Sequence, residues 1–327
     1  MLLDERWADI LAQFIVHSLV AALFVEALVR TWRVRHPAQR MALRFLALGY
    51  PLALFPALVL LFPARLDVAF REEALLSGHR WHDVAFLGLD PYVLFVGGLA
   101  GLGALLFLAD LGSLLSALRR GRPRDAPPDA ASAAALQAAG GALRGLPGGP
   151  PPVAFLDRDG AALFCAGVRH PRIYVSRGAI ALLDGEELRA ALTHEAAHLE
   201  RRDPERSWVV MGLRALMCLN PTFQVQARVL ARDAERRADE RAVELGADRL
   251  ALASGLIKLH RATGAGGSRR TLVFGGALAG PLRRARSLDV EQRARALLAP
   301  APERLPFGRL RVLLAGATLT AMLYFVV

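Results

Sequence analysis

The stretch LTHEAAHLERRD, Leu192 to Asp203, places two histidines four residues apart with a glutamate directly after the first. Four residues are close to one helical turn. On a helix, His194 and His198 therefore project from one face, and their imidazoles can converge on one metal ion. Glu195 then sits beside that ion without filling a coordination position, within reach of a water held there. Two core or surface histidines are the competing reading, and a third ligand would decide between them.

The residues around the stretch supply the helix. Asp184 followed by Glu187 is a capping box, and it predicts a helix from about Gly185 to Arg202. A second helix is expected from Asn220-Pro221, with proline at the first helical position, to Gly246. Within it AERRADERA holds Glu235 and Asp239 at i and i+4, on one face. Ala234, Ala238 and Ala242 repeat beside them, small enough for a close approach to Ala196-Ala197 of the histidine helix. Glu235 would then be the third ligand, and Asp239 a carboxylate that orients a ligand histidine. Arg232, Arg236, Arg237 and Arg241 equally permit a solvated face laced by i,i+4 pairs, and spacing alone leaves both readings open.

Outside this region the chain reads as a membrane protein. It has 327 residues, 54% of them apolar, and the long apolar runs crowd into the first third and the last residues. Ile10 to Val29, Phe45 to Phe62 and Tyr92 to Leu118 are each long enough to cross a bilayer. Asp4, Glu5 and Asp9 precede the first, whereas a signal peptide needs a basic start, so a retained anchor is expected. Val312 to Val327 is a shorter, fourth apolar run of about 24 Å against a bilayer core of about 30 Å. Arg30, Arg33, Arg35, Arg40 and Arg44 between the first two spans, and Arg119, Arg120, Arg122 and Arg124 after the third, mark both segments as cytoplasmic. The loop from Pro63 to Asp90, where acids outnumber bases, is then outside. The net charge of +11 fits attraction to an anionic membrane surface, and no nucleic-acid recognition element accompanies it. Cys165 and Cys218 form no spacing motif and read as buried free thiols.

The expected organisation is a membrane region over 1–120, a Pro/Gly/Ala-rich linker over 121–152, a cytoplasmic domain over 153–300 and a last membrane helix over 301–327. VAFLD, ALFCA and RIYVS, separated by DG and HP turn signals, predict a small antiparallel sheet at the start of the third segment.

HPRIYVSRGAIALLDGEELRAALTHEAAHLERRDP, then LNP, then AERRADERAV, resembles the BlaR/MecR-type membrane metallopeptidases. The resemblance spans roughly Val153 to Pro300. It implies an α+β gluzincin fold in a mostly helical integral membrane protein. It also implies His194, His198 and Glu235 as ligands of one zinc ion, and Glu195 as the catalytic base of peptide-bond hydrolysis. A protein substrate is implied with it, either a cytoplasmic partner such as a transcriptional repressor or the chain itself, at the plasma or inner membrane. Penicillin-sensing members carry a sensor domain after the last span; none follows Val312 to Val327 here, so acylation by β-lactams is not expected. HtpX-type quality-control proteases share E-x-x-A-D and are the alternative, with a non-catalytic membrane scaffold as a third reading.

Overall fold

The computed structural model describes residues 2–66, 70, 91–119, 126–141, 143, 149–167, 169–265 and 283–326. Most of the segment expected as the outer loop, His79 and His82 included, and parts of the expected linker lie outside these residues. In chain order the helices are α1 (Leu2–Thr31), α2 (Pro37–Leu61), α3 (Pro91–Arg119) and α4 (Ala130–Gly140). Strands β1 (Val153–Leu156), β2 (Leu163–Ala166) and β3 (Arg172–Ser176) follow, and then α5 (Arg177–Leu182), α6 (Gly185–Glu200) and α7 (Asp203–Leu216). The chain continues through α8 (Pro221–Glu244), α9 (Arg249–Ala265), α10 (Arg283–Leu298) and α11 (Gly308–Tyr324). It divides into two compact units, one of Met1–Leu108, Leu213–Asp233 and Pro302–Val327, the other of Ala109–Gly212 and Ala234–Ala301.

In the first unit α1 and α2 form a helical hairpin. Its turn uses Arg33 at φ 50°, and its core joins Ala21, Val25 and Val29 to Leu43 and Ala47, with Ala315, Leu319 and Leu323 of α11 packed in. Ile10–Thr31, Pro37–Leu58 and Pro91–Gly112 are long and apolar enough to cross a membrane. On α3 the side chains of Leu94, Phe95, Leu105 and Leu108 are exposed, as expected where lipid rather than water is the solvent. The last helix has 17 residues and is not among those three. Helix α2 begins eight residues before the apolar run that predicted it. The reason is electrostatic: buried Arg44 places Nε 2.8 Å from Asp233 Oδ2, and Arg40 Nε lies 3.4 Å from the other carboxylate oxygen. Paired arginines extend a helix that apolar content alone would end.

In the second unit the sheet order is β1-β3-β2, with β1 parallel and β2 antiparallel to β3. The expected all-antiparallel sheet is thus corrected to a mixed one. The chain reverses twice, as the turn signals require, so β3 runs in the direction of β1, and because it enters between the other two strands rather than beyond β2 it pairs with β1 in parallel. Gly167, at φ 110°, sits where β2 turns toward β3; a Cβ there would meet the carbonyl oxygen of His170 at 2.6 Å. The outcome for function is that β2 is an edge strand.

Leu163, Cys165, Ile173 and Val175 of the sheet bury one face against Leu188, Ala191, Leu192 and Ala196 of α6, with Ala139 and Leu143 alongside. The capping box is present in full, since Asp184 accepts from the Glu187 backbone N–H and Glu187 accepts from that of Asp184. Glu187 is buried and also accepts from Ser254 Oγ and Lys258 Nζ, both at 2.6 Å. The start of α6 is therefore fastened to α9 by the only lysine in the chain.

Candidate metal centre

Helix α6 presents His194 and His198 on its buried side, one turn apart, with their Nε2 atoms 3.2 Å from each other. Helix α8 brings Glu235 to the same point, its carboxylate oxygens 3.7 Å from His194 Nε2 and 3.8 Å from His198 Nε2. These three residues form a group whose donor atoms all lie within 4.8 Å of one another. Tetrahedral zinc with bonds of about 2.0–2.1 Å keeps its ligand atoms about 3.4 Å apart. The separations here bracket that value, so the donor set fits such an ion without rearrangement of the backbone. The approach of the two helices rests on small residues: Ala242 of α8 clusters with Ala190 of α6 and Ala294 of α10, and Ala238 is fully buried.

Each imidazole turns its other nitrogen toward a carboxylate. His198 Nδ1 hydrogen-bonds Asp203 Oδ2 at 2.9 Å. His194 Nδ1 faces Asp239 Oδ1 at 3.0 Å, at an angle short of a hydrogen bond. The arrangement leaves both Nε2 atoms directed at the common point and favours the tautomer that ligation needs. Asp239 occupies the place expected of it beside a histidine. Asp203 went unassigned in the sequence, although it stands at the end of the opening stretch. It reaches His198 because α6 stops at Glu200 and Arg202 adopts φ 55°, which turns the chain back on itself before α7 begins.

Arg293 is the second residue that spacing did not reveal. It lies on α10, is buried, and grips Asp239 with two hydrogen bonds, Nε to Oδ2 at 2.8 Å and Nη2 to Oδ1 at 2.7 Å. Its third nitrogen, Nη1, is 3.0 Å from Glu235 Oε2. In a chain with 41 basic residues, nearly all arginine, one more on a polar helix carries no signal of its own. Only the fold shows that this one is buried between two carboxylates.

The electrostatics follow from burial and these contacts. Burial opposes the charged form of Glu235, but the Arg293 guanidinium, His198 and His194 outweigh it and hold the carboxyl at about 2. Asp239 is likewise pushed well below the usual carboxylate range by Arg293 and His194 despite its burial. Burial also opposes a charged His194, yet the Asp239 and Glu235 carboxylates raise it to about 10. Glu195, Asp203, Glu235 and Asp239 contribute four negative charges, and Arg201, 3.5 Å from Asp203, and Arg293 return two positive ones. With both imidazoles neutral, as ligation requires, and Arg206 also 3.8 Å from Asp203, the carboxylates still outnumber the arginines, which favours a bound cation.

Glu195 points away from the three donors toward the sheet. Its Oε2 accepts a hydrogen bond from the backbone N–H of Cys165, on edge strand β2, at 2.8 Å. Burial and this carboxylate together push the Cys165 thiol well up, so it stays protonated and inert at neutral pH.

No curated protein matches this chain. A family model described as BlaR1 peptidase M56 matches residues 164–272, about a third of the chain. The matched segment runs from strand β2 through the H-E-x-x-H helix and the Asn-Pro turn to Glu235 and Asp239, and ends before Arg293. The family that the motifs resemble is therefore the one that the chain matches over these residues, the BlaR1 peptidase M56 family.

Proposed function

We propose that this protein is a multi-pass membrane zinc endopeptidase that cleaves a protein substrate on the cytoplasmic side. The observation that carries the reading is the convergence of His194, His198 and Glu235 on one point, with a carboxylate behind each imidazole. His194, His198 and Glu235 would hold the zinc, and Glu195, the residue after His194 on α6, would serve a water bound there. When bound, zinc supplies a Lewis acid that polarises a carbonyl oxygen and makes water acidic near neutral pH. Glu195 accepts a proton from the attacking water and passes it to the leaving amine as the peptide bond breaks. Strand β2 would receive the substrate as an added strand, since its outer edge lies at the Glu195 carboxylate.

Arginine placement supports the cytoplasmic assignment. The connection between α1 and α2 is arginine-rich, with Arg33 and Arg35 in the turn and Arg40 and Arg44 in the first turns of α2, where they pair with Asp233. The match to BlaR1 peptidases favours a regulatory role, in which the substrate is a cytoplasmic partner such as a repressor, or the chain itself.

The decisive measurement is zinc per chain in detergent-purified protein beside Glu235→Ala. About one zinc in the parent, lost or strongly weakened in the variant, is expected for a three-ligand site. A parent that holds no zinc after purification in zinc-containing buffer would leave the scaffold reading in its place.

A further inference from the structure

The Asn-Pro turn between α7 and α8 is packed in the middle of the membrane unit. Asn220 Nδ2 donates to the Phe14 carbonyl at 3.1 Å and to Ser18 Oγ at 2.9 Å, both on α1. On α3, Gly103 leaves the space that the turn occupies: a Cβ there would meet the Leu219 carbonyl carbon at 2.6 Å and the Asn220 nitrogen at 2.9 Å. Ser18 and Gly103 lie inside two of the three segments apolar and long enough to cross a membrane.

Depth follows from the helical rise. Ser18 stands thirteen residues before the end of α1 at Thr31, about 20 Å along the helix. Asn220 stands the same thirteen residues before Asp233, which pairs with Arg40 and Arg44 beyond that end. Both measures place the turn about 20 Å from the basic connection, past the midplane of a core about 30 Å thick.

The turn is also built as such a depth requires. Backbone groups in hydrocarbon must be satisfied within the protein. Gln224, fully buried, donates to the carbonyls of Arg214 and Met217, which close α7, and accepts from Arg214 Nε. Asn220 Oδ1 accepts from the Phe223 backbone N–H and caps α8. Arg228, further along α8, donates to the Leu106 carbonyl of α3. The outer surface is apolar, with Leu216 70% exposed, Leu219 42% and Val225 46%. Water facing this turn would make the side-chain caps redundant and those three side chains costly.

We propose that Leu213–Asp233 forms the tip and the α8 arm of a re-entrant hairpin inserted into the bilayer from the basic side, with Leu216, Leu219 and Val225 in contact with lipid acyl chains. The inference rests on α1 and α3 crossing the membrane, as proposed above. It adds a membrane element that hydropathy passes over, because Arg214, Asn220, Gln224 and Arg228 dilute the apolar residues around it.

The test is nitroxide labelling of the full chain in phosphatidylcholine/phosphatidylglycerol vesicles. Labels are attached at Leu216→Cys, Leu219→Cys and Val225→Cys, each in a Cys165→Ser, Cys218→Ser background, with Leu105→Cys on the exposed flank of α3 as reference. All four sites are exposed, so the label displaces no core side chain. Relaxation by oxygen, which partitions into lipid, is compared with relaxation by a water-soluble nickel chelate. The hairpin requires oxygen to dominate several-fold at all three sites, as at Leu105. Nickel dominance at 216 and 219 with oxygen dominance at Leu105 would overturn the hairpin alone. Nickel dominance at Leu105 as well would overturn the membrane crossing of α3 and the hairpin with it.

Discussion

His198 Nδ1 lies 2.9 Å from Asp203 Oδ2, five residues further along the chain. A straight helix would carry Asp203 past the histidine. The left-handed conformation of Arg202 folds it back, and Arg201, 3.5 Å from the other carboxylate oxygen, holds it there. A non-glycine residue in that region costs of order 1 kcal/mol, which the ion pair and the hydrogen bond offset. The site thus carries its own orienting carboxylate within the opening stretch.

Asp203→Asn keeps the size of the side chain but removes the charge behind His198. Loss of such a partner lowers metal affinity by about 10- to 100-fold. Competition with a fluorescent zinc chelator should show this drop with the far-UV circular dichroism spectrum unchanged. An unaltered zinc affinity would mean that the contact is only a helix-terminal bond.

Arg293→Met removes the buried cation shared by Glu235 and Asp239. Leaving buried carboxylates without their partner costs about 3–5 kcal/mol. The expected thermal unfolding shift is larger in chelator-treated protein than in zinc-loaded protein, because a divalent cation restores part of the lost positive charge. Equal shifts in the two states would separate Arg293 from the metal centre.

Glu195→Gln retains all three ligand side chains and the hydrogen bond from Cys165, since an amide oxygen can accept it. Loss of the base should lower cleavage of a peptide or protein substrate by roughly 100- to 10,000-fold, with zinc content unchanged. Cleavage at the parental rate would assign the proton transfer to another group.

Glu187 sets a pH dependence of stability. Burial raises its pKa, but Lys258, Ser254 and the Asp184 backbone N–H outweigh that and lower it overall. A carboxyl with a folded pKa below its unfolded value stabilises the fold above about pH 4.3, and that contribution is lost as pH falls through the folded value. Glu187→Gln should therefore flatten the decline in stability below about pH 4.5, measured by urea unfolding across pH 3 to 6. A decline as steep as in the parent would place the acid sensitivity elsewhere.

Much of the second unit was written locally. The capping box, the four-residue histidine spacing and the i,i+4 pair Glu235 and Asp239 each follow from helical periodicity, which depends on neighbours in sequence. The strands were legible for the same reason, whereas their order was not, because β1, β2 and β3 carry no mark of which strand takes the centre. The three long apolar helices were legible from hydropathy, and the early start of α2 was hidden because Arg40 and Arg44 find Asp233 nearly two hundred residues away. The sequence by itself determined the long apolar helices, the histidine helix and α8, and which faces of the last two hold His194, His198, Glu235 and Asp239. Tertiary structure alone decided that Arg293 is buried between two of the carboxylates, that the chain folds Asp203 back onto His198, and that Asn220 sits against α1. Those are long-range choices of charge pairing and burial, and a residue type that is common everywhere, as arginine is here, announces none of them.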